Sequence, residues 1–304
     1  MNYKKANWGF FGMVMLHFAV IFALLFVRNL EMGMMANLLV SELTLIIPAF
    51  AVLFSSKEKP NRVLSFHKLK VSSVLMVFVF TFLMMPLTTL LNAISMLFVD
   101  NAVTQMSGQV LSYPFVVMLF MMAIYGPVCE ELCFRGIIYR SYIKSGNLIG
   151  AILLSSLLFG LIHMNFNQAP YAFVLGVAMA LLMEVTGSLW SPILMHVIFN
   201  AQSVILMYIY DRFMPGVLEA QAEQVMGAGE LLPVISMYLV IAVISTALAA
   251  CVLVWLCRNE GRTEYLIWLL HEGKAGEKKG KLVSAPLIVG IVLCLAYMLL
   301  LAVL

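Results

Sequence analysis

The sequence predicts an all-α, polytopic transmembrane helix bundle of about nine spans, and three observations carry that prediction. The chain of 304 residues is 63% hydrophobic and only 11% charged, whereas soluble domains carry roughly 25% charged residues. Fifteen acids and eighteen bases, with a mean hydropathy of +1.02, cannot cover a water-exposed surface of this size, so the solvent around most of the chain is lipid. Apolar runs also recur along the chain near bilayer length without strand-like alternation. Only helices and closed barrels satisfy their backbone in lipid, and this pattern selects helices.

The runs are, in order, Trp8–Val27, Ala36–Phe54, Val71–Phe98, Tyr113–Tyr139, Leu148–His163, Pro170–Val185, Ser191–Tyr210, Leu231–Cys257 and Val283–Leu304. A span needs roughly 20 residues, which makes the fifth and sixth runs short and the third, fourth and eighth long. Lys4 and Lys5 before the first run resemble the start of a signal peptide. That run is too long for one, and Phe26-Val27-Arg28-Asn29 offers no small-residue cleavage site, so an uncleaved first span is expected. The last span reads as a peripheral addition. The Lys/Gly-rich stretch 273–281 reads as a flexible cytoplasmic loop.

Basic residues set the orientation. A cytoplasmic N-terminus places Lys4, Lys5, Lys57, Lys59, Arg62, Lys68, Lys70, Arg135, Arg140, Lys144, Arg258, Arg262, Lys274, Lys278, Lys279 and Lys281 inside, leaving only Arg28 and Arg212 outside, or 16 of the 18 bases. With nine spans the C-terminus then lies outside. The expected location is a bacterial plasma membrane. The net charge of +3 is too small to suggest nucleic-acid binding, so the bilayer and a peptide are the expected partners. Cys129, Cys133, Cys251, Cys257 and Cys294 show no metal-ligand spacing and read as packed thiols.

Ionisable side chains within spans are costly, which makes each a functional candidate until a simpler role accounts for it. His17 and Glu42 have no partner at helical spacing and read as packing or snorkelling residues; Asn92 reads as interhelical glue. Glu184 falls at the end of the sixth run and reads as solvated, and His67 and His271 read as loop residues. Gly126-Pro127-Val128-Cys129-Glu130-Glu131-Leu132-Cys133-Phe134-Arg135-Gly136 is different, because adjacent carboxylates inside an apolar helix are hard to explain as a helix end. Glu131 and Arg135 are four apart and can pair along one face. Glu130 points about 100° away and stays available as a general base or acid. Pro127 removes a helix hydrogen bond just before it. The alternative is a buried ion-pair network that only joins helices.

Two further segments bear on the choice. The fifth run ends Phe159-Gly160-Leu161-Ile162-His163, and the seventh carries His196-Val197-Ile198-Phe199-Asn200 behind Ser191-Pro192. His196 and Asn200 share a helix face. At 1.5 Å per residue, Glu130 lies roughly 18 Å from the cytoplasmic end of its span, His163 about 22 Å from the start of its own, and His196 only about 8 Å from its cap. The three meet only if the seventh span starts below the surface or tilts.

Glu130-Glu131-x-x-x-Arg135, Phe159-x-x-x-His163 and His196-x-x-x-Asn200, in that order on separate helices, resemble the CAAX protease and bacteriocin-processing family of intramembrane peptidases, which includes the Ras-converting CAAX endopeptidase. The resemblance covers residues 113–210 and divides the chain into N-terminal helices (1–112), a peptidase core in spans four to seven (113–210), and an outer loop with C-terminal helices (211–304). It implies intramembrane endopeptidase activity reached from the cytoplasmic side. Glu130 would activate water, His163 would hold that water or a metal, and His196 with Asn200 would stabilise the oxyanion. Glu131 with Arg135 would position the first helix. Two His and a Glu would also make a zinc site, with His163 and His196 as ligands. A peptide or membrane-protein substrate is implied, as a lipidated tail or a leader peptide.

Rival chemistries lack their residues. There is no His-Glu-x-x-His, the only aspartates are Asp100 and Asp211, and no Gly-x-Ser-x-Gly surrounds Ser155 or Ser156. The remaining alternatives are a non-enzymatic immunity or scaffold protein and, further off, a proton-coupled transporter, against which the absence of a two-fold repeat argues.

Overall fold

The structure, a computed structural model, describes residues 2–26, 32–218, 227–272 and 280–303. Arg28, most of the loop around 219–226 and the Lys/Gly-rich stretch to 279 lie outside the described residues. Helices make up the fold, with no strand among the described residues. They are α1 (Tyr3–Phe26), α2 (Met34–Ser55), α3 (Pro60–Leu64), α4 (Val71–Ser95), α5 (Ala102–Leu111) and α6 (Phe115–Ile143). After these come α7 (Leu148–Ile162), α8 (Gln168–Thr186), α9 (Trp190–Phe213), α10 (Ala228–Asn259), α11 (Thr263–Glu272) and α12 (Ala285–Val303). Among the described residues eight helices are long and apolar enough to cross a membrane; the ninth apolar run, α7, is a shorter helix of 15 residues. Among the described residues each of the nine runs is helical over most of its length. The short α3, α5 and α11 have no span-length signature and were not expected, and α11 places the backbone of His271 in a helix rather than a loop.

Lipid-facing and protein-facing surfaces separate cleanly. Phe22, Phe54, Leu75, Phe82, Val240 and Leu299 are exposed on the outside of the bundle, where hydrocarbon replaces water as their solvent. The core runs through α6, α7, α8 and the start of α9, where Phe134, Tyr139, Phe159, Leu182 and Met195 are all but fully buried. Around it, α10 packs along α4, α7 against α8, and α1 between α2 and α12. Small residues permit the closest approach: a Cβ on Gly9 or Gly12 of α1 would stand 3.1 Å from Val52 or Pro48 of α2. The last span sits at the edge, tied in where Asn7 Nδ2 donates to the Leu282 carbonyl (2.9 Å) and Tyr142 donates to Asn7 Oδ1 (2.6 Å). Asn92 does join helices, accepting from Asn167 Nδ2 at 3.0 Å.

One feature of the fold brings α9 to the candidate site. The turn joining α8 to α9 is buried, with Ser188, Leu189 and Ser191 fully covered. Buried backbone needs partners, and here they come from outside the turn. Leu189 N–H donates to the Ser65 carbonyl (3.1 Å), Ser188 Oγ donates to the His67 carbonyl (2.5 Å), and Arg262 Nε donates to the Glu184 carbonyl (2.8 Å). Gly187, at φ 71°, closes α8 in the left-handed region that favours glycine. The segment after α3 and the residue preceding α11 thus cap the turn, and Trp190, the first residue of α9, remains half exposed beside it. The same cap buries Glu184, which is 1% exposed and not solvated, with its Oε2 accepting from Tyr265 at 3.4 Å.

Candidate active site

The site is built on α6, and its backbone explains why. The segment Leu119–Tyr125 is π-helical, Gly126–Glu131 returns to α-helix, and Leu132–Tyr139 is π-helical again. Widened turns of this kind are rare and gather at functional sites. Gly126 N–H bonds back to the Met121 carbonyl, five residues earlier. In that register the Met122 carbonyl should receive its hydrogen from residue 127, which is proline and has none. Asn200 supplies it: its Nδ2 donates to the Met122 carbonyl at 2.9 Å. The proline expected to open the helix before Glu130 does so, and a side chain from α9 closes the gap.

Glu131 and Arg135 make the expected pair. Arg135 Nη1 donates to Glu131 Oε1 at 2.8 Å, with the side chains 1% and 0% exposed. The guanidinium lies 4.2 Å from the centroid of the Phe159 ring, a cation–π contact. A Cβ on Gly176 would sit 3.2 Å from Arg135 Nη2 and 2.9 Å from Ser156 Cβ, so α8 leaves the space that the guanidinium fills. A Cβ on Gly136 would strike Leu64 Cδ2 at 2.7 Å, with Leu189 Cδ2 at 3.5 Å, which is how the buried turn and α3 come close to α6.

His196 joins this pair to Glu130. Its Nδ1 lies 3.0 Å from Glu131 Oε1. A carboxylate held by arginine only accepts, so Nδ1 carries the proton and Nε2 faces the other way. Nε2 is 4.0 Å from Glu130 Oε2. That oxygen is buried and makes no hydrogen bond. The depth conflict read from the sequence does not keep these groups apart: His196, near the start of α9, reaches both Glu131 and Glu130.

His163 follows the last residue of α7. Its Nδ1 lies 2.8 Å from the Phe159 carbonyl; the carbonyl can only accept, so Nδ1 carries a proton and Nε2 is left outside that bond. The His163 and His196 rings both meet the Phe159 ring edge-on, at centroid distances of 5.0 and 5.7 Å. Glu130, Glu131, Arg135 and His196 therefore form one contiguous group around Phe159. His163 shares that ring without bonding to the others, and Asn200 is turned to the α6 backbone.

Glu42 packs inside the bundle rather than snorkelling. On α2 it is 8% exposed, and its Oε1 lies 3.3 Å from where a Cβ on Gly126 would stand. Gly126 is one turn before Glu130 on the same face. The signal was a carboxylate within a span, but nothing in the sequence says which helix α2 faces. As for zinc, no three His, Cys, Asp or Glu side chains among the described residues come together as a metal-ligand set. His196 gives Nδ1 to Glu131 and keeps Nε2 free, as a histidine ligand would.

Residues 112–202 match the family described as Type II CAAX prenyl endopeptidase Rce1-like. The chain is 33% identical over 89 residues to "Putative membrane peptidase YdiL" of Bacillus subtilis (strain 168), covering 29% of this chain and 36% of that protein. It is 32% identical over 114 residues to "Membrane-embedded CAAX protease MroQ" of Staphylococcus aureus (strain USA300), covering 36% of this chain and 44% of that protein. The chain thus spans less than half the length of these relatives. No solved structure matches. The matched segment contains all of α6 to α8, most of α9 and every residue of the three motifs, but not Glu42.

Proposed function

We propose that this chain, whose residues 112–202 belong with the Rce1-like CAAX prenyl endopeptidases, is an intramembrane endopeptidase that hydrolyses a peptide bond with water activated by Glu130. The observation that carries the reading is the contrast between two adjacent carboxylates. Glu131 is fully buried and its Oε1 is shared by Arg135 and His196. Glu130 is 16% exposed, has no arginine on it within ion-pair distance among the described residues, and faces a histidine nitrogen at 4.0 Å.

In the proposed reaction Glu130 takes a proton from water held by the free Nε2 of His163, and the hydroxide attacks the scissile carbonyl carbon. Negative charge develops on the carbonyl oxygen. His196, its Nδ1–H held by Glu131, stabilises that charge when Nε2 carries a proton as well and donates it, and the second amide hydrogen of Asn200 lies on the same helix face. When the tetrahedral intermediate collapses, the C–N bond breaks and Glu130 returns its proton to the leaving amine. Arg135 holds Glu131 and so sets the orientation of His196. The substrate class proposed is the tail or leader of a membrane-associated protein, entering from the cytoplasmic side. One end of the bundle supports that orientation: Lys144 with Glu58 (2.6 Å), Arg140 with Ser65, Lys70 with Asn259 and Arg262 with Glu184 all gather there.

The test is cleavage. Purified protein in detergent, incubated with a peptide library and read by mass spectrometry, is expected to generate new termini that His163→Ala does not. A folded wild-type protein that produces no more cleavage than a heat-inactivated control overturns the reading.

A further inference from the structure

We propose that the open cleft between α4, α8 and α9 is a substrate subsite, which holds an uncharged stretch of the peptide two or three residues from the scissile bond. Ser203 sets how large a side chain it accepts. The inference rests on the peptidase reading and deepens it.

The cleft has a volume of about 210 Å³ and is lined by Thr88, Thr89 and Asn92 of α4, Tyr171 of α8, and Phe199 and Ser203 of α9, with the head of α5 at its edge. Two of its walls carry the candidate site. On α9, Phe199 and Ser203 follow His196 by three and seven residues. They therefore stand within about 60° and 20° of its direction, on the face that also holds Asn200. On α4, Asn92 accepts from Asn167 Nδ2 at 3.0 Å, and Asn167 lies four residues past His163 in the loop that follows it. Asn167 Oδ1 also accepts from the Ala102 N–H at 3.2 Å, which ties the head of α5 to the same loop. The cleft thus opens between the two elements that bring His163 and His196 to Phe159.

The lining decides what the cleft accepts. In a bundle surrounded by hydrocarbon, an open cleft of hydroxyl and amide groups needs a polar guest. Thr88 donates to the Met85 carbonyl at 2.8 Å, but Thr89 makes no side-chain hydrogen bond among the described residues, and Ser203 Oγ reaches the Phe199 carbonyl only at 3.4 Å. Both hydroxyls can turn to a peptide backbone instead. No lining side chain carries a charge, so a charged residue placed there would be desolvated without a partner. The volume falls below the roughly 300–1,000 Å³ that encloses a free small ligand; it suits a piece of a longer chain. Ser203 lies about 10 Å beyond His196 along the helix axis. An extended peptide advances about 3.3–3.6 Å per residue, which gives the register of two to three residues. Because α9 starts at the capped turn, the cleft lies on the side of the scissile bond away from the basic end of the bundle.

Purified wild type and Ser203→Phe, each given peptides that differ only in the residues flanking the cut, read the subsite. Filling the cleft should raise the kcat/KM preference for glycine over leucine tenfold or more at one position two or three residues from the cut, with preferences elsewhere moving less than twofold. An equal loss on every peptide, or no change of preference at those positions, overturns the proposal. If Ser203→Phe does not fold, Ser203→Cys decides, in a Cys251→Ser chain that lacks the exposed native thiol. With Glu130→Gln added to prevent turnover, its reaction with a water-soluble maleimide should slow at least threefold in the presence of peptide. Labelling that peptide leaves unchanged overturns the proposal. For a chain that cleaves nothing, the same labelling against the whole peptide library separates the two claims: protection sinks the peptidase reading and leaves a peptide-binding cleft, and no protection sinks both.

Discussion

Replacing Asn200 by alanine is expected to damage the helix that carries Glu130, and the damage should vanish when Pro127 is also replaced. In the wild type the Met122 carbonyl has lost both of its in-register donors. Gly126 N–H is used by Met121, and Pro127 has no N–H. The Asn200 amide, at 2.9 Å, stands in for them. Removing it strands a carbonyl in an apolar helix, which costs about 1–3 kcal/mol. Pro127→Ala restores a backbone donor at the position the π-register requires. In that background Asn200→Ala should cost no more than about 0.5 kcal/mol, giving a coupling of about 1–2 kcal/mol. Equilibrium unfolding of the four proteins in mixed detergent micelles measures the cycle. Equal cost of Asn200→Ala in both backgrounds would refute the reasoning, since Asn200 would then serve something other than the gap left by Pro127. Activity measured on the same four proteins separates this structural duty from the proposed contact with the oxyanion.

Three further outcomes follow from the same geometry. Arg135→Met should cost about 3–5 kcal/mol in the same unfolding assay, because it leaves Glu131 charged and buried with only His196 against it, and adding Glu131→Gln should recover part of that loss. Gly176→Ala should cost about 1–3 kcal/mol, since its methyl group would sit 2.9 Å from Ser156 Cβ and 3.2 Å from Arg135 Nη2. By contrast Gly108→Ala, with nothing within 4 Å, should be neutral or add about 0.4–1 kcal/mol of stability. Cleavage should survive a zinc chelator, because the proposed chemistry runs on Glu130 and water; loss of cleavage that added zinc restores would show that the histidines act as ligands after all.

What the sequence made legible, and what it hid, divides along one physical line. Relations within a helix are set by its period, so the Glu131–Arg135 pair and the divergence of Glu130 could be read directly. The apolar runs could be read because a bilayer demands length and composition. Relations between helices depend on how deep each one starts and which neighbour it meets. One mistake comes from that. Glu184 reads as solvated because a short turn between spans is ordinarily at the surface; here Ser65, His67 and Arg262 satisfy the turn's backbone and bury it. Glu42 packs as read, against Gly126 of α6, but its neighbour more than eighty residues away has no signal in the sequence. Asn200 is a mixed case. Its place beside His196 was legible, but its bond to Met122 depends on a π-turn that no periodicity announces.

The central claim, that Glu130 activates the attacking water, is tested most directly by the rate of a single peptide-bond cleavage under single-turnover conditions. Wild type is compared with Glu130→Gln, which keeps the shape of the side chain and loses its basicity. The account predicts a fall of about 10²–10⁴-fold with unchanged folding and peptide binding. Equal rates in the two proteins would contradict it.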